Sequence, residues 1–217
     1  VGLIPSSGQE LVHHGQRVIV ETNAGAGAGL TDADYILAGA TIVPQADSIF
    51  ADAETIVKAK EPQAAERRRL QKGQILFTYL HLAPDADQTH DLIASNAVCI
   101  AYETVTSTSG ALPLLTPMSE VAGRLAPQVG AHSLERAQGG RGILLGGVPG
   151  VPAAEVLILG GGVSGTHAAE IAVGMGAKVT VVDRSAEALK RLANQFGTSI
   201  STIFSTRSAL EGLVRRA

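Results

Sequence analysis

A glycine-rich turn at residues 160–165 is the clearest chemical motif in the sequence. It reads Gly-Gly-Gly-Val-Ser-Gly, a GxGxxG pattern that follows the apolar run 156–159 and opens the helical pattern 167–175. A second apolar run, 178–182, leads to Asp183, eighteen residues after Gly165. This order of strand, turn, helix, strand and acid is what dinucleotide binding requires. The glycines let the backbone of the turn approach the pyrophosphate, and the N-terminus of the helix faces its negative charge.

Each residue of this motif has a predicted role. Gly160 permits the tight turn, Gly162 lets the backbone approach the pyrophosphate, and Gly165 allows the helix to pack closely on the strand. Asp183 is expected to accept hydrogen bonds from the adenosine ribose hydroxyls. A 2′-phosphate there would meet a carboxylate, which favours NAD over NADP, whereas the neighbouring Arg184 works against that preference. The plainer interpretation is a tight strand-to-helix turn followed by a solvent-facing acid.

Two further residues have side chains suited to chemistry on a small acid. Lys60 and His81 come at the carboxyl ends of the predicted strands 55–60 and 74–80, where ligands bind in open α/β sheets. Lysine supplies a fixed cation for a carboxylate, and histidine can move a proton near neutral pH. Tyr79 lies two residues before His81 and therefore on the same strand face. Without further context, Lys60 is more often a solvated charge, His81 a structural histidine, and Tyr79 a core residue with its hydroxyl paired.

The surrounding elements alternate between short apolar strands and helical segments, which predicts an α/β fold with parallel sheets and helical crossovers. Thr31 and Asp34 form a capping-box pattern that opens one helix. From residue 117, apolar residues repeat at helical spacing, which predicts a helix joining two domains. Besides the strands given above, the expected elements are a helix at 5–15 and strands at 17–21, 40–43 and 98–104. We predict a substrate domain at 1–116, a linking helix at 117–138 and an NAD-binding domain at 139–217 with a partial Rossmann doubly wound fold.

Composition excludes several other classes of function. The chain has 217 residues, is 45% hydrophobic and carries a formal charge of −3 without a basic block, which argues against nucleic acid or anionic membrane as partners. No apolar run approaches the roughly 18 residues of a membrane span. A single cysteine, Cys99, cannot form an internal disulfide, which favours a reducing, cytoplasmic location. The sequence predicts no metal site.

Several segments together resemble the alanine dehydrogenase family, within the superfamily that includes the NAD-binding subunit of transhydrogenase. Together with the dinucleotide motif, these segments follow one another in the family's order, and the resemblance extends over essentially the whole chain. The segments are residues 76–83, 101–105, 117–124, 139–142 and 146–151. The resemblance implies reversible NAD-dependent oxidative deamination of L-alanine to pyruvate and ammonium, a role in L-alanine catabolism, and a homo-oligomer, commonly a hexamer.

The resemblance also implies roles for individual residues. Lys60 is expected to hold the substrate carboxylate or carbonyl, Tyr79 to line the substrate site, and His81 to act as general acid and base. Ser119 and Ser205 resemble positions that contact NAD. With Gly160, Gly162, Gly165 and Asp183 as cofactor residues, the active site is expected in the cleft between the two domains.

The chain also departs from the family's pattern. It begins with Val1 rather than Met, ends in the helix-like stretch 209–217, and has no counterpart of the family's substrate-binding arginine, first strand or later catalytic aspartate. From this we expect a fragment cut at both ends that turns over alanine poorly. Two alternatives stay open: an NAD-binding component of a proton-translocating transhydrogenase, and a non-catalytic nucleotide-binding remnant.

Overall fold

The computed structural model describes all 217 residues and divides them into two compact units, Val1–Leu115 and Thr116–Ala217. Both units consist of parallel strands joined by helical crossovers, which confirms the predicted α/β class. No helix is both long and apolar enough to cross a membrane.

The first unit contains five strands and five helices. In chain order they are α1 (Pro5–His13), β1 (Ile19–Glu21), α2 (Asp32–Leu37), β2 (Thr41–Val43), α3 (Ala46–Asp52), β3 (Thr55–Val57), α4 (Ala64–Arg67), β4 (Ile75–Thr78), α5 (Ala86–Ser95) and β5 (Val98–Ala101). The strands form two parallel sheets, β1–β2 and β3–β4–β5, rather than a single one. Strand β4 is therefore central in its sheet, and its Leu76 is completely buried.

Local sequence accounts for how two helices of this unit begin. Thr31 caps α2: its hydroxyl accepts from the Asp34 N–H, and the Asp34 carboxylate accepts from the Thr31 N–H, so the predicted capping box is confirmed. Helix α1 begins at Pro5 behind Ile4, which makes no side-chain cap. Proline suits this position because its fixed φ matches the helix and its missing N–H would have no helical partner.

Three strands of this unit end earlier than the sequence predicts. Strand β3 stops at Val57, so Lys60 lies three residues beyond it, and β4 stops at Thr78 rather than at residue 80. Strand β5 stops at Ala101 rather than at residue 104, and a single 3₁₀ turn, Tyr102–Thr104, follows. The segments that follow β3 and β5, residues 58–60 and 102–104, are mostly polar and at most partly buried. The candidate residues Lys60, Tyr79 and His81 all lie just beyond the ends of β3 and β4.

The second unit is a three-stranded βαβαβ arrangement preceded by a long helix. Its elements are α6 (Thr116–Ser133), β6 (Glu155–Leu159), α7 (Val163–Gly174), β7 (Lys178–Asp183), α8 (Ala186–Phe196), β8 (Ile200–Phe204) and α9 (Arg207–Val214). The strands are parallel in the order β6–β7–β8, one mononucleotide-binding half of a Rossmann fold. Val181 of β7, Ala169 of α7 and Leu192 of α8 are fully buried in its core.

Helix α6 belongs to this second unit and packs on α7. The two helices approach closely at Gly123, where an added Cβ would lie 2.3 Å from the Ser164 carbonyl oxygen. Pro127 lies inside the helix, as the sequence indicates, and is buried. The apolar stripe that predicts this helix faces solvent instead; its large members, all exposed, are Met118, Val121, Leu125 and Val129. The predicted role of the helix as a linker between domains stays a prediction.

Candidate functional site

The glycine turn connects β6 to α7 in the second unit. Gly160 has φ 102°, a conformation that L side chains rarely adopt, so glycine is required there. Gly162 is the N-cap of α7 and provides no side-chain cap, and nothing lies within 4 Å of the position that a Cβ would take there. The first N–H groups of α7 therefore face an approach that no side chain of the turn obstructs.

Gly165 brings the helix and the turn into direct contact. A Cβ on Gly165 would lie 1.8 Å from the Gly160 carbonyl oxygen and 3.4 Å from the Ile158 side chain. Only glycine fits, because any other residue would push the first turn of α7 away from β6. This is the close helix-to-strand packing that the spacing of the motif predicts.

Asp183, the last residue of β7, is bonded to the turn. One carboxylate oxygen accepts from the Gly161 N–H at 2.6 Å and the other from the Ser185 N–H at 2.7 Å. These two hydrogen bonds, with smaller contributions from the backbone N–H and the charge of Arg184, lower the pKa of Asp183 from 3.8 against the opposing effect of desolvation. The carboxylate is therefore charged at neutral pH and fixed beside the glycine turn.

A small pocket of about 240 Å³ collects several of the candidate cofactor residues. Gly160, Asp183, Arg184 and Ser205 line it, and the Ser205 N–H donates to the Asp183 carbonyl oxygen at 2.9 Å. Ser119 is not among the lining residues; its carbonyl oxygen accepts from the Ser164 hydroxyl in the first turn of α7. The structure thus brings Ser205 to the acid and Ser119 to the helix N-terminus.

Arg191 is a residue of this region that no sequence motif identifies. From α8, its guanidinium donates to the Gly161 carbonyl oxygen at 2.6 Å, while Asp183 accepts from the N–H of the same glycine. The negative carboxylate of Asp183 therefore holds the peptide group before Gly161, and the positive guanidinium of Arg191 holds the peptide group after it. No local pattern reveals this contact, because Arg191 is thirty residues from Gly161 and looks like any exposed helical arginine.

The candidate substrate residues lie beyond the ends of β3 and β4, which are neighbours in one sheet. Lys60 is exposed, and its ammonium group makes no ion pair, whereas the nearby Lys58 is paired with Glu66. The Lys60 carbonyl oxygen accepts from the Thr78 hydroxyl at 2.9 Å, which ties the segment after β3 to the last residue of β4. One free cation therefore stands at this edge of the sheet.

His81 lies in an unusual backbone conformation with φ 46°. Its Nε2 is 3.4 Å from a carboxylate oxygen of Glu61, and its ring is stacked on Tyr79 with 5.9 Å between centroids and 13° between planes. The imidazole is about half exposed. A left-handed non-glycine residue costs about 1–3 kcal/mol and persists only where its surroundings hold it.

Tyr79 has its hydroxyl occupied. It donates to the Leu114 carbonyl oxygen at 2.6 Å, and its ring packs edge-on against Tyr102. Burial, followed by the charge of Glu103, raises the pKa of Tyr79, so the phenol stays protonated. In this arrangement Tyr79 offers a packing surface to His81 rather than a free hydroxyl.

Glu103 is a second residue of the candidate site for which the sequence predicts no role. Its carboxylate accepts from the His81 N–H at 2.7 Å and from the Leu80 N–H at 3.1 Å. Partial burial acts to raise its pKa, but these backbone hydrogen bonds, one within Glu103 itself and the His81 charge outweigh that effect, and the pKa of Glu103 is lowered. Glu103 lies in segment 101–105, which carries part of the family resemblance, and this is the feature of the sequence that points to it.

The comparisons with known proteins agree on one family. The model of the alanine dehydrogenase/PNT N-terminal domain matches residues 1–122, and that of the C-terminal domain matches residues 126–217. An alanine dehydrogenase of Halomonas elongata is 54% identical over the whole chain, which covers 58% of that relative. The chain thus spans less than two thirds of the length of the curated relatives it matches.

Solved structures give the same picture. An L-alanine dehydrogenase is 51% identical with a TM-score of 0.93, over all of this chain and 60% of the other. A transhydrogenase from Sinorhizobium meliloti is 24% identical with a TM-score of 0.76, over 98% of this chain and 59% of the other. At that identity the second likeness concerns the fold alone.

Proposed function

This chain belongs to the alanine dehydrogenase/PNT family, and we propose that it provides the nucleotide-binding turn and the substrate groups of an NAD-dependent alanine dehydrogenase. In the proposed reaction L-alanine, NAD⁺ and water give pyruvate, ammonium, NADH and a proton. Identity of 54% to an alanine dehydrogenase over all 217 residues supports this choice.

The observation that carries the proposal is the bond between Asp183 and the glycine turn. This charged carboxylate at the end of β7 lies 2.6 Å from the Gly161 nitrogen. It is the group expected to accept hydrogen bonds from the hydroxyls of the adenosine ribose. The open backbone at Gly162 and the first N–H groups of α7 suit a pyrophosphate. Ser119 and Ser205 complete the proposed cofactor residues. When bound, the nicotinamide accepts the hydride that the alanine Cα loses.

The first unit supplies the proposed substrate groups. Lys60, exposed and without an ion pair, is suited to hold the substrate carboxylate or carbonyl. Oxidised alanine is an imine, which water converts to a carbinolamine and then to pyruvate and ammonium. His81 is proposed to move the proton on the substrate oxygen during these steps. Tyr79, stacked on His81, is proposed to line the same site.

The transhydrogenase alternative has weaker support, because its likeness at 24% identity concerns the fold alone. A homo-oligomer, hexameric as in the family, and a cytoplasmic location form part of the main proposal. The single half-buried Cys99 is consistent with a reducing compartment.

The test is steady-state kinetics of the complete protein with L-alanine and NAD, followed by the absorbance of NADH. His81→Ala is expected to lower kcat by about 10² to 10⁴-fold, because proton transfer acts in the transition state. Lys60→Ala is expected mainly to raise KM for alanine, because a carboxylate is bound in both the ground and transition states.

His90→Ala and Lys72→Ala are matched controls, since both residues are exposed in the same unit and lie outside the proposed site. Each control should leave kcat and KM unchanged. Near-normal kinetics for His81→Ala or Lys60→Ala would remove that residue from the site. No alanine-dependent reduction of NAD by the unaltered protein would overturn the proposed activity.

A further inference from the structure

The backbone at His81 needs an external support. Three non-glycine residues have positive φ, and the other two, Asn23 and Asn96, are of the type that adopts this conformation most readily. Asn96 also ends α5, where a left-handed residue is common. His81 has no such local reason, because it follows the end of β4 after two intervening residues.

The support comes from the neighbouring strand β5. Thr78 pairs with Ala101 at the ends of the two strands, so the 3₁₀ turn after β5 lies beside the chain that leaves β4. Glu103 in that turn accepts the N–H groups of both Leu80 and His81. Two consecutive N–H groups that converge on one carboxylate define the orientation of the peptide between them.

The same peptide is held from its other side. The amide of Gln88, a buried residue of α5, donates to the Leu80 carbonyl oxygen. The Leu80 side chain is itself 1% exposed and packs in the core of the β3–β4–β5 sheet. The backbone before the imidazole is thus fixed on both sides, while the imidazole remains half exposed.

We propose that Glu103 is a positioning residue for His81: its carboxylate holds the Leu80–His81 backbone in the left-handed conformation that leaves the imidazole stacked on Tyr79, with Nε2 near Glu61. The hydrogen bonds of Glu103 go to the backbone and none goes to the imidazole, so its proposed effect on the reaction is exerted through His81. The proposal rests on the proposed function only in that His81 is taken as the group that moves the proton.

The positioning role of Glu103 depends on a hydrogen-bond acceptor at the correct distance from the two backbone N–H groups, and not on negative charge alone. One oxygen, Oε1, lies 2.7 Å from the His81 nitrogen and 3.1 Å from the Leu80 nitrogen, and Oε2 lies 3.3 Å from the latter. Glu103→Gln keeps an oxygen that can take the place of Oε1. Glu103→Asp keeps the charge but withdraws the carboxylate by one methylene, and Glu103→Ala removes the acceptor.

The first measurement is amide hydrogen exchange of the unaltered protein and the three variants. The Leu80 and His81 N–H groups should exchange at least about tenfold faster in Glu103→Ala and Glu103→Asp, because they lose their acceptor. Glu103→Gln should keep most of the protection. Glu54→Ala, an exposed glutamate that precedes β3, is the control and should change neither amide. Unchanged protection in both Glu103→Ala and Glu103→Asp would overturn the proposal.

The second measurement is a double-mutant cycle in the complete protein with L-alanine and NAD. Glu103→Ala should lower kcat about 10- to 100-fold with a small change in KM, the effect expected of a misplaced catalytic group. In a His81→Ala background the same change should cost less than about twofold, because the residue through which it acts is gone. Glu103→Gln should retain most of kcat, and Glu103→Asp less.

The outcomes separate the positioning role of Glu103 from the proton-transfer role of His81. Equal losses of kcat from Glu103→Ala with and without His81 would mean a role unrelated to His81, and Glu103→Gln as impaired as Glu103→Ala would refute the acceptor argument. If His81→Ala alone leaves kcat unchanged, the proton-transfer role falls, and amide exchange still decides whether Glu103 fixes the backbone. If Glu103→Ala does not fold, Glu103→Asp replaces it in both measurements.

Discussion

Replacing Gly165 by alanine should strongly destabilise the second unit. The new Cβ would lie 1.8 Å from the Gly160 carbonyl oxygen, and this contact must open by about 1.2 Å to reach 3.0 Å, below which such contacts essentially do not occur. Both partners are backbone, so a rotamer change cannot relieve the clash, and α7 has to move off β6. Overpacking of this kind costs about 3 kcal/mol, which for a unit of roughly 100 residues lowers the Tm by about 12 °C or more.

Thermal unfolding followed by calorimetry and circular dichroism measures this effect. The matched control is Gly174→Ala at the other end of α7, where nothing lies within 4 Å of the added Cβ and alanine favours the helix. The control should leave the Tm unchanged or raise it slightly. A Gly165→Ala protein that unfolds within about 2 °C of the unaltered one would show that the turn tolerates a side chain, and the packing argument would be refuted.

Three further outcomes concern the nucleotide turn. Gly162→Ala should weaken NAD binding at least about tenfold in calorimetric titration, because the added methyl group fills the open approach to the backbone. The variant should lose only about 1 kcal/mol of stability, since the methyl group clashes with nothing and only the N-cap preference changes. Unchanged affinity for NAD would contradict this prediction. NAD should bind more tightly than NADP, and Asp183→Ala should reduce that preference; equal affinities for the unaltered protein would remove Asp183 from cofactor selection. Because the pKa of Asp183 is lowered by folding, its carboxylate stabilises the fold above pH 3.8 and this contribution disappears as the pH falls through the folded-state value. Urea unfolding of Asp183→Asn should therefore show its largest deficit near neutral pH and converge on the unaltered protein in acid, and a deficit independent of pH would contradict the assignment.

The nucleotide turn was predictable because its physics is local. Positive φ at Gly160, close packing at Gly165 and an acid at the end of the next strand each follow from residue type and spacing. The capping box of Thr31 and Asp34 is local in the same sense, since both partners lie within one helical turn. Short-range constraints of this kind leave a readable pattern in the chain.

Strand ends and exposed faces were less predictable. The sequence extends the third and fifth strands to residues 60 and 104, whereas pairing stops at Val57 and Ala101. A strand exists only where a neighbouring strand supplies hydrogen-bond partners, and the residue types along one segment do not record where that neighbour ends. Likewise, the apolar period of α6 identifies a helix, while the face that packs on α7 contains Gly123, which no hydrophobic pattern marks.

The sequence by itself determined the α/β class, the order of the elements, the glycine turn with Asp183, and Lys60 and His81 as candidates. Only the tertiary structure decided how those candidates are held: Glu103 reaches His81 across 22 residues, and Arg191 reaches Gly161 across 30. Such contacts depend on which strands become neighbours and on where each one ends. Pairing of distant segments is governed by the packing of the whole unit, so no local period or spacing records it.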